Sequence, residues 1–205
     1  MATIIYLTRH GVTAANKENI FAGRTTEPLH SEGVAQLMAV GRILARQGGI
    51  KKIFCGPLPR TRQSAELAAT LLTTQGTIPV VSKEGLNEIY IPHWDGLSKE
   101  EIRKRFGPEY PLWLEDPAGF TVPGCETIGQ VQARAVACLE EIFQSCAGEK
   151  VLVVSHLIVI RSLLLHYLAK PLADFRAIKV DNAQLVMLVR RANGETEVRM
   201  SCATD

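Results

Sequence analysis

Arg9 and His10 stand side by side where the short run TIIYLT (3–8) ends. His156 follows directly on a second run, VLVVS (151–155), and Arg60 follows KKIFC (51–55) after the turn residues GPLP. If those runs are neighbouring parallel strands, all four side chains meet at one edge, because open α/β sheets bind ligands beyond the carboxyl ends of their strands. Two guanidinium groups and two imidazoles gathered there make a pocket of high positive potential, suited to an anionic group such as a phosphate. A histidine is a nucleophile only when neutral, and neighbouring cations disfavour its protonated form. Arg9 and Arg60 would therefore keep His10 unprotonated while holding a dianion against it. Attack by a ring nitrogen on phosphorus gives a phosphohistidine and divides one hard displacement into two easier ones. Phosphate monoester hydrolysis is among the slowest uncatalysed reactions, so positioning and charge stabilisation must supply most of the barrier reduction.

The surrounding pattern supports such a sheet. TIIYLT is β-branched and aromatic, as strands are. SEGVAQLMAVGRILARQGG (31–49) carries Val34, Leu37, Met38, Ile43 and Leu44 at helical spacing, with Ser31 as the expected N-cap and Gly48–Gly49 ending the pattern. KKIFC reads as a second strand, 60–74 as a helix, and IPVVS (78–82) as a strand that Pro79 places near a sheet edge. A long amphipathic helix is expected over 127–146, and the continuous apolar VLVVS reads as a central strand covered on both faces. An apolar helix (158–168) and strands near 184–190 and 196–200 complete the chain. Strands alternating with helices predict an α/β fold, a three-layer α/β/α sandwich on a mostly parallel sheet. Residues 86–125 break the alternation with two Trp and five Pro and read as a small inserted cap or an elaborated loop in a single domain spanning 1–205.

Composition narrows the function classes. The 205 residues are 46% hydrophobic and 21% charged with a formal net charge of +2. These are the proportions of an ordinary globular chain, and no dense basic stripe suggests nucleic acid or a membrane surface. Arg103–Arg105 reads as a solvated helix face. No apolar run reaches the length of a membrane span, and no signal-peptide pattern opens the chain. Five cysteines without C-x-x-C spacing argue against a disulfide framework or a zinc site and for a reducing, cytoplasmic setting. Most are expected to pack as small hydrophobes. No heptad or apolar stripe announces an interface, which leaves a homodimer open.

Six segments in order resemble the histidine phosphatase superfamily, the phosphoglycerate-mutase-like group. LTRHGVTAAN (7–16) is similar to its L-x-R-H-G-x-T-x-x-N signature at every fixed position, and FAGRTTEPLHSEG (21–33) to G-x-x-D-x-P-L-T-x-x-G, with Thr26 where Asp is usual. GPLPRTRQSAE (56–66) resembles S-P-L-x-R-A-x-Q-T-A, and LNEIYIPHWDGLS (86–98) resembles L-x-E-x-x-x-G-x-W-E-G. PGCETIGQVQARA (123–135) and VLVVSH (151–156) are similar to the P-G-G-E-S segment and the second-histidine strand. The resemblance implies that His10 is the phosphorylated nucleophile. Arg9, Arg60, His156 and Asn16 would clamp the phosphoryl oxygens, with Thr13 and Gly23 close by and Arg24 within reach of substrate. Glu88 would protonate the leaving oxygen and then deprotonate water, a role that needs its pKa raised. No metal or organic cofactor is implied.

The chain also departs from that pattern. Leu157 and Ile158 stand where Gly-Gly usually follows the second histidine, although the Leu157 N–H still opens a helix where anions are favoured. Pro92 replaces a Gly in the leaving-group segment, and Cys125 replaces the second Gly of P-G-G-E-S. His166 is expected to pack in the core, Trp94 and Trp113 to pack the cap, and His93 to stand near the leaving-group side. Glu84 competes with Glu88 as the acid but falls outside its motif position. The resulting expectation is a metal-independent phosphomonoesterase acting on a small phosphorylated metabolite. A phosphoglycerate mutase is the alternative, although Ala15 and EIYIP differ from that branch's Trp and E-R-H-Y-G. A silent phospho-ligand binder is a third reading, against which His10 and Glu88 together speak.

Overall fold

The computed structural model describes residues 1–72 and 76–200. Strand β1 (Thr3–Arg9) leads through the one-turn helix α1 (Ala14–Lys17) and the short β2 (Ile20–Phe21) to helix α2 (Ser31–Gln47). Then follow β3 (Ile50–Cys55), α3 (Pro59–Leu71) and β4 (Val80–Ser82). The inserted region holds β5 (Leu97–Ser98), α4 (Lys99–Arg105) and α5 (Glu109–Glu115). Helix α6 (Ile128–Ser145), β6 (Lys150–Ser155), α7 (Leu157–Tyr167), β7 (Leu185–Arg190) and β8 (Thr196–Met200) close the chain. The six-stranded sheet has the order β4-β3-β6-β1-β7-β8. Its first four strands are mutually parallel, and β7 runs antiparallel to both β1 and β8. Helices cover both faces, the expected three-layer α/β/α arrangement. Among the described residues no helix is long and apolar enough to cross a membrane.

Strand periodicity divides the core into two. Ile5, Leu7, Val151 and Val153 point to the face covered by α6, α7 and the cap, where Leu139, Ile142, Val159 and Leu163 meet them. Tyr6, Ile53, Leu152 and Val154 point to the other face, against Leu37 and Leu44 of α2 and Ala65 and Ala68 of α3. Side chains of a strand alternate between faces, so continuous apolar runs such as VLVVS suit a sheet buried on both sides. Pro79 precedes an edge strand, as its missing N–H requires. Trp94 is fully buried and lies 6.0 Å from Trp113 and 5.2 Å from Phe120 between ring centroids, so both tryptophans pack the cap.

Several sequence expectations move. Helix α2 is capped by His30, whose Nδ1 accepts from the Glu32 N–H at 3.2 Å, while Ser31 is the first helical residue. The cause is tertiary: the His30 N–H is tied to the Val12 carbonyl at 2.9 Å, which holds His30 extended. Val34 belongs to the apolar pattern of α2 yet is exposed. The helix expected over 60–74 runs from Pro59 to Leu71, and positions 73 and 74 lie outside the described residues, as does Cys202. His166 is exposed rather than in the core; it occupies the last turn of α7 with its ring 5.0 Å from that of Tyr167. The apolar composition of α7 buries the helix as a whole and does not bury each residue of its last turn. Cys55, Cys138 and Cys146 are buried and Cys125 is half-buried, all as free thiols.

The loop after β1 is held against the first turn of α2 by a backbone approach that leaves no room for side chains. A Cβ on Gly33 would lie 2.2 Å from the Val12 carbonyl oxygen, and one on Gly11 would lie 2.5 Å from the Gly33 carbonyl oxygen. Gln36 and Ser64 complete the loop's support, accepting from the Val12 and Gly11 N–H groups at 3.0 and 3.2 Å. Gly33→Ala therefore forces the backbone apart and costs about 1–3 kcal/mol. Gly129→Ala in α6, where a Cβ meets nothing closer than 3.8 Å, is tolerated. Thermal unfolding of the two variants checks this, and an equal response would mean that the Gly11–Gly33 approach is not a constraint.

Candidate active site

Parallel pairing of β1 with β6 places Arg9 opposite Ser155, so the residues that follow, His10 and His156, leave the sheet together. The His10 N–H donates to the Ser155 carbonyl at 3.0 Å, and the two imidazole centroids lie 5.3 Å apart. Arg60 enters from the first turn of α3, where Pro59 at the first helical position needs no N–H partner. Arg9, His10, Asn16, Gly23, Arg60, Glu88 and Leu157 line one small cleft of about 110 Å³ beyond the strand ends. That is roughly the volume of four waters, room for a phosphoryl group and far below the about 300–1,000 Å³ of a pocket that encloses a whole drug-sized ligand.

Each ring nitrogen can be assigned. His10 Nδ1 lies 2.7 Å from the Gly11 carbonyl; a carbonyl only accepts, so Nδ1 carries the proton and Nε2 keeps its lone pair. Burial, then the Arg60 and Arg9 charges, push the His10 pKa well below the usual histidine value. Burial is a larger cause than the two arginine charges. His156 is fully buried and is lowered by the same causes, with His10 itself adding to them. Among the described residues neither ring nitrogen of His156 has a hydrogen-bond partner, nor do the Nε atoms of Arg9 and Arg60. An unsatisfied buried polar atom costs about 1–3 kcal/mol, so several gathered in one place make a site suited to an anion.

Glu88 supplies the carboxyl. It is buried, its Oε1 accepts from the Ile89 N–H at 2.9 Å, and burial raises its pKa against the opposing pull of that hydrogen bond, Arg60, Arg9 and Arg134. The competing Glu84 is exposed and accepts from Asn87. The Glu88 segment is strapped from outside. Arg134 of α6 donates to the carbonyls of Gly85, Asn87 and Glu88 at 3.0, 2.7 and 3.1 Å, and its Nε to Glu126 at 2.7 Å. Glu126 in turn accepts from Arg24 at 2.9 Å and from the Tyr90 N–H at 3.0 Å.

The remaining expected residues divide by position. Asn16, Gly23 and Leu157 line the cleft. Gly23 has φ +47°, and a Cβ there would collide with the Asp95 carboxylate; its carbonyl and that of Thr25 accept from the Arg60 guanidinium. Thr13 is fully buried and caps α1, accepting from the Asn16 N–H and donating to Glu27 at 2.9 Å, so it shapes the loop from behind. Arg24 does not line the cleft: its Nε donates to the Glu88 carbonyl at 2.9 Å and its guanidinium lies 4.9 Å from the Tyr90 ring. His93 pairs with Glu109 at 2.6 Å and stands 3.7 Å from the Cys125 sulfur, within the cap rather than at the cleft. Sequence reasoning missed Glu27, Arg134 and Asn182. Asn182 donates to the His10 carbonyl at 3.0 Å and to Asn16 Oδ1 at 3.1 Å. It lies 172 positions from His10, and nothing in its local pattern signals the contact.

The chain is similar to known proteins over nearly its whole length. A 2,3-bisphosphoglycerate-dependent phosphoglycerate mutase of Methylobacterium radiotolerans is 31% identical over 216 residues, covering 100% of this chain and 97% of its own. Phosphoserine phosphatase 1 of Hydrogenobacter thermophilus is 24% identical over 97% of this chain and 92% of its own. The solved structure of Bacillus stearothermophilus YhfR superposes with a TM-score of 0.90 at 26% identity, covering 97% and 96% of the two chains. The chain spans 53% of the length of mycobacterial relatives that are 31% identical to it over 198 residues. The sequence pattern of the histidine phosphatase superfamily (branch 1) matches residues 5–203, and the chain belongs to that superfamily.

Proposed function

We propose that this protein is a metal-independent phosphomonoesterase that hydrolyses a small phosphorylated metabolite through a phosphohistidine on His10. The observation that supports this most is the set of buried, unpartnered cationic and imidazole atoms around an unprotonated His10 Nε2. In the first step the Nε2 lone pair forms a bond to phosphorus as the phosphorus–oxygen bond to the leaving group breaks. Glu88, protonated beforehand, gives its proton to the leaving oxygen. In the second step the Glu88 carboxylate takes a proton from water, the water oxygen bonds to phosphorus, and the phosphorus–nitrogen bond breaks to release inorganic phosphate. Arg9, Arg60, Asn16 and His156 hold the equatorial oxygens, and positioning with charge stabilisation supplies the acceleration. The free cysteines fit a reducing, cytoplasmic setting.

A mutase reading is favoured by one observation, the near full-length likeness to a phosphoglycerate mutase. It shares the phosphoenzyme and differs in returning the phosphoryl group to a second hydroxyl. Against it, Ala15 and EIYIP replace that branch's Trp and E-R-H-Y-G. Incubation with 3-phosphoglycerate separates the two: inorganic phosphate is the expected product, and 2-phosphoglycerate without phosphate release would establish the mutase.

Wild-type protein in EDTA hydrolyses p-nitrophenyl phosphate and, on acid-free quenching, yields a phosphoenzyme that is acid-labile and base-stable. His10→Ala loses turnover and adduct while retaining phosphate affinity through the arginines. Turnover by that variant would exclude the covalent route, and loss of wild-type activity in EDTA would exclude metal independence.

Protonation fixes the pH profile. Glu88 must be protonated to act as acid, and its raised pKa carries that form above the ordinary carboxylate range, so activity falls as pH rises through it. His10 must be neutral, and its lowered pKa puts the acid limb well below 6.5. Glu88→Gln removes the alkaline limb, lowers kcat about 10²–10⁴-fold and lets phosphoenzyme accumulate, since an amide cannot deprotonate water. A pH–rate comparison with rapid quench reads this, and an unchanged alkaline limb would assign the acid elsewhere.

A further inference from the structure

Outside the phosphoryl cleft, three side chains of the cap make a second cluster. His93 Nε2 lies 2.6 Å from a carboxylate oxygen of Glu109, the first residue of α5, and His93 Nδ1 lies 3.7 Å from the sulfur of Cys125. None of the three lines the cleft, and the phosphoryl chemistry uses none of them. Cys125 also stands where the superfamily pattern has a glycine, so the cluster belongs to this chain and not to the shared machinery.

The tautomer follows from the partners. A carboxylate only accepts, so His93 Nε2 carries the proton and Nδ1 presents its lone pair to the Cys125 sulfur. Glu109 fixes the ring from one side, and the rings of Phe106 and Trp94 stand 4.7 and 5.9 Å from it between centroids. A thiol, a base within reach and a third group orienting that base are the parts of an activated nucleophile. Burial, then the Glu109 charge, raise the Cys125 pKa, so the resting group is the thiol and its reaction depends on that base. All three side chains are part-exposed and open to a small solute. The other described cysteines, Cys55, Cys138 and Cys146, are buried, and burial pushes the thiols of Cys55 and Cys138 up to about 11.

We propose that Cys125 is a site of thiol–disulfide exchange with a low-molecular-weight disulfide, with His93 as the base and Glu109 orienting it. His93 Nδ1 takes the thiol proton, and the imidazolium formed is held between the Glu109 carboxylate and the thiolate. The Cys125 sulfur bonds to one sulfur of the small disulfide as its sulfur–sulfur bond breaks. The departing half leaves as a thiolate, takes the proton from His93 and is released reduced, while Cys125 is left oxidised as a mixed disulfide. A reducing thiol reverses the step, as suits a transient modification in a setting that keeps thiols free. This reactivity is independent of the phosphoryl chemistry.

Oxidised glutathione tests it on the full chain, with adducts located by peptide mass mapping over time at neutral pH. In the folded wild type the Cys125 adduct forms faster than in the same chain unfolded in guanidinium, and dithiothreitol removes it. His93→Phe, which keeps a ring against Phe106 and Trp94, slows the folded rate about 10- to 30-fold, because an unassisted thiol is only a few per cent thiolate at neutral pH. Glu109→Gln gives an intermediate rate. A folded rate equal to or below the unfolded one overturns the proposal and needs no variant, so the test holds even where a substitution disturbs folding. An adduct confined to Cys202 overturns it, as does a rate unchanged within twofold in a folded His93→Phe.

Discussion

The register of two parallel strands governs this site. With Arg9 of β1 opposite Ser155 of β6, the His10 N–H bonds the Ser155 carbonyl and the two imidazoles are delivered side by side at the strand ends. A slip of one residue would turn Ile5 and Leu7 away from α6 and α7 and expose each alternating set to the wrong layer. The same burial that locks this register in both cores thus fixes the distance between the histidines. Two imidazoles and two guanidiniums are stable at such proximity because burial keeps the imidazoles uncharged; protonated, they would add like charges to those of Arg9 and Arg60.

Glu88 is held differently. Glu88 stands on irregular backbone, and irregular backbone needs outside partners for its polar groups. Arg134 and Arg24 provide them by binding carbonyls of the segment, and Glu126 joins the two guanidiniums into one strap. His10 and Glu88 therefore sit on separate supports, one a sheet edge and the other a polar clamp anchored in α6. The aromatic packing around Trp94 closes the cap over the same segment.

The sequence reveals the sheet-borne half of this far better than the clamp. TIIYLT and VLVVS announce strands by composition, and a polar group directly after each marks the ligand edge; Arg9, His10 and His156 are legible for that reason. Gly11 and Gly33 are visible as glycines, but their contact with each other is not, since it depends on how α2 docks. Arg134 looks like any solvated helix charge until the Glu88 segment is laid across it. Arg24 was expected near substrate because it follows Gly23, yet its side chain turns to Glu126. His166 shows the converse error, an apolar neighbourhood mistaken for burial in a terminal turn. In each case a partner far away in the chain decided the outcome.

The two neutral histidines make folding proton-linked. Because both resist protonation when buried, the unfolded chain binds more protons below about pH 6.5 than the folded chain does. Each histidine then withdraws stability as pH falls, by up to about 1.4 kcal/mol per pH unit until its folded pKa is reached. The fold is thus acid-labile by the same burial that keeps the two imidazoles uncharged.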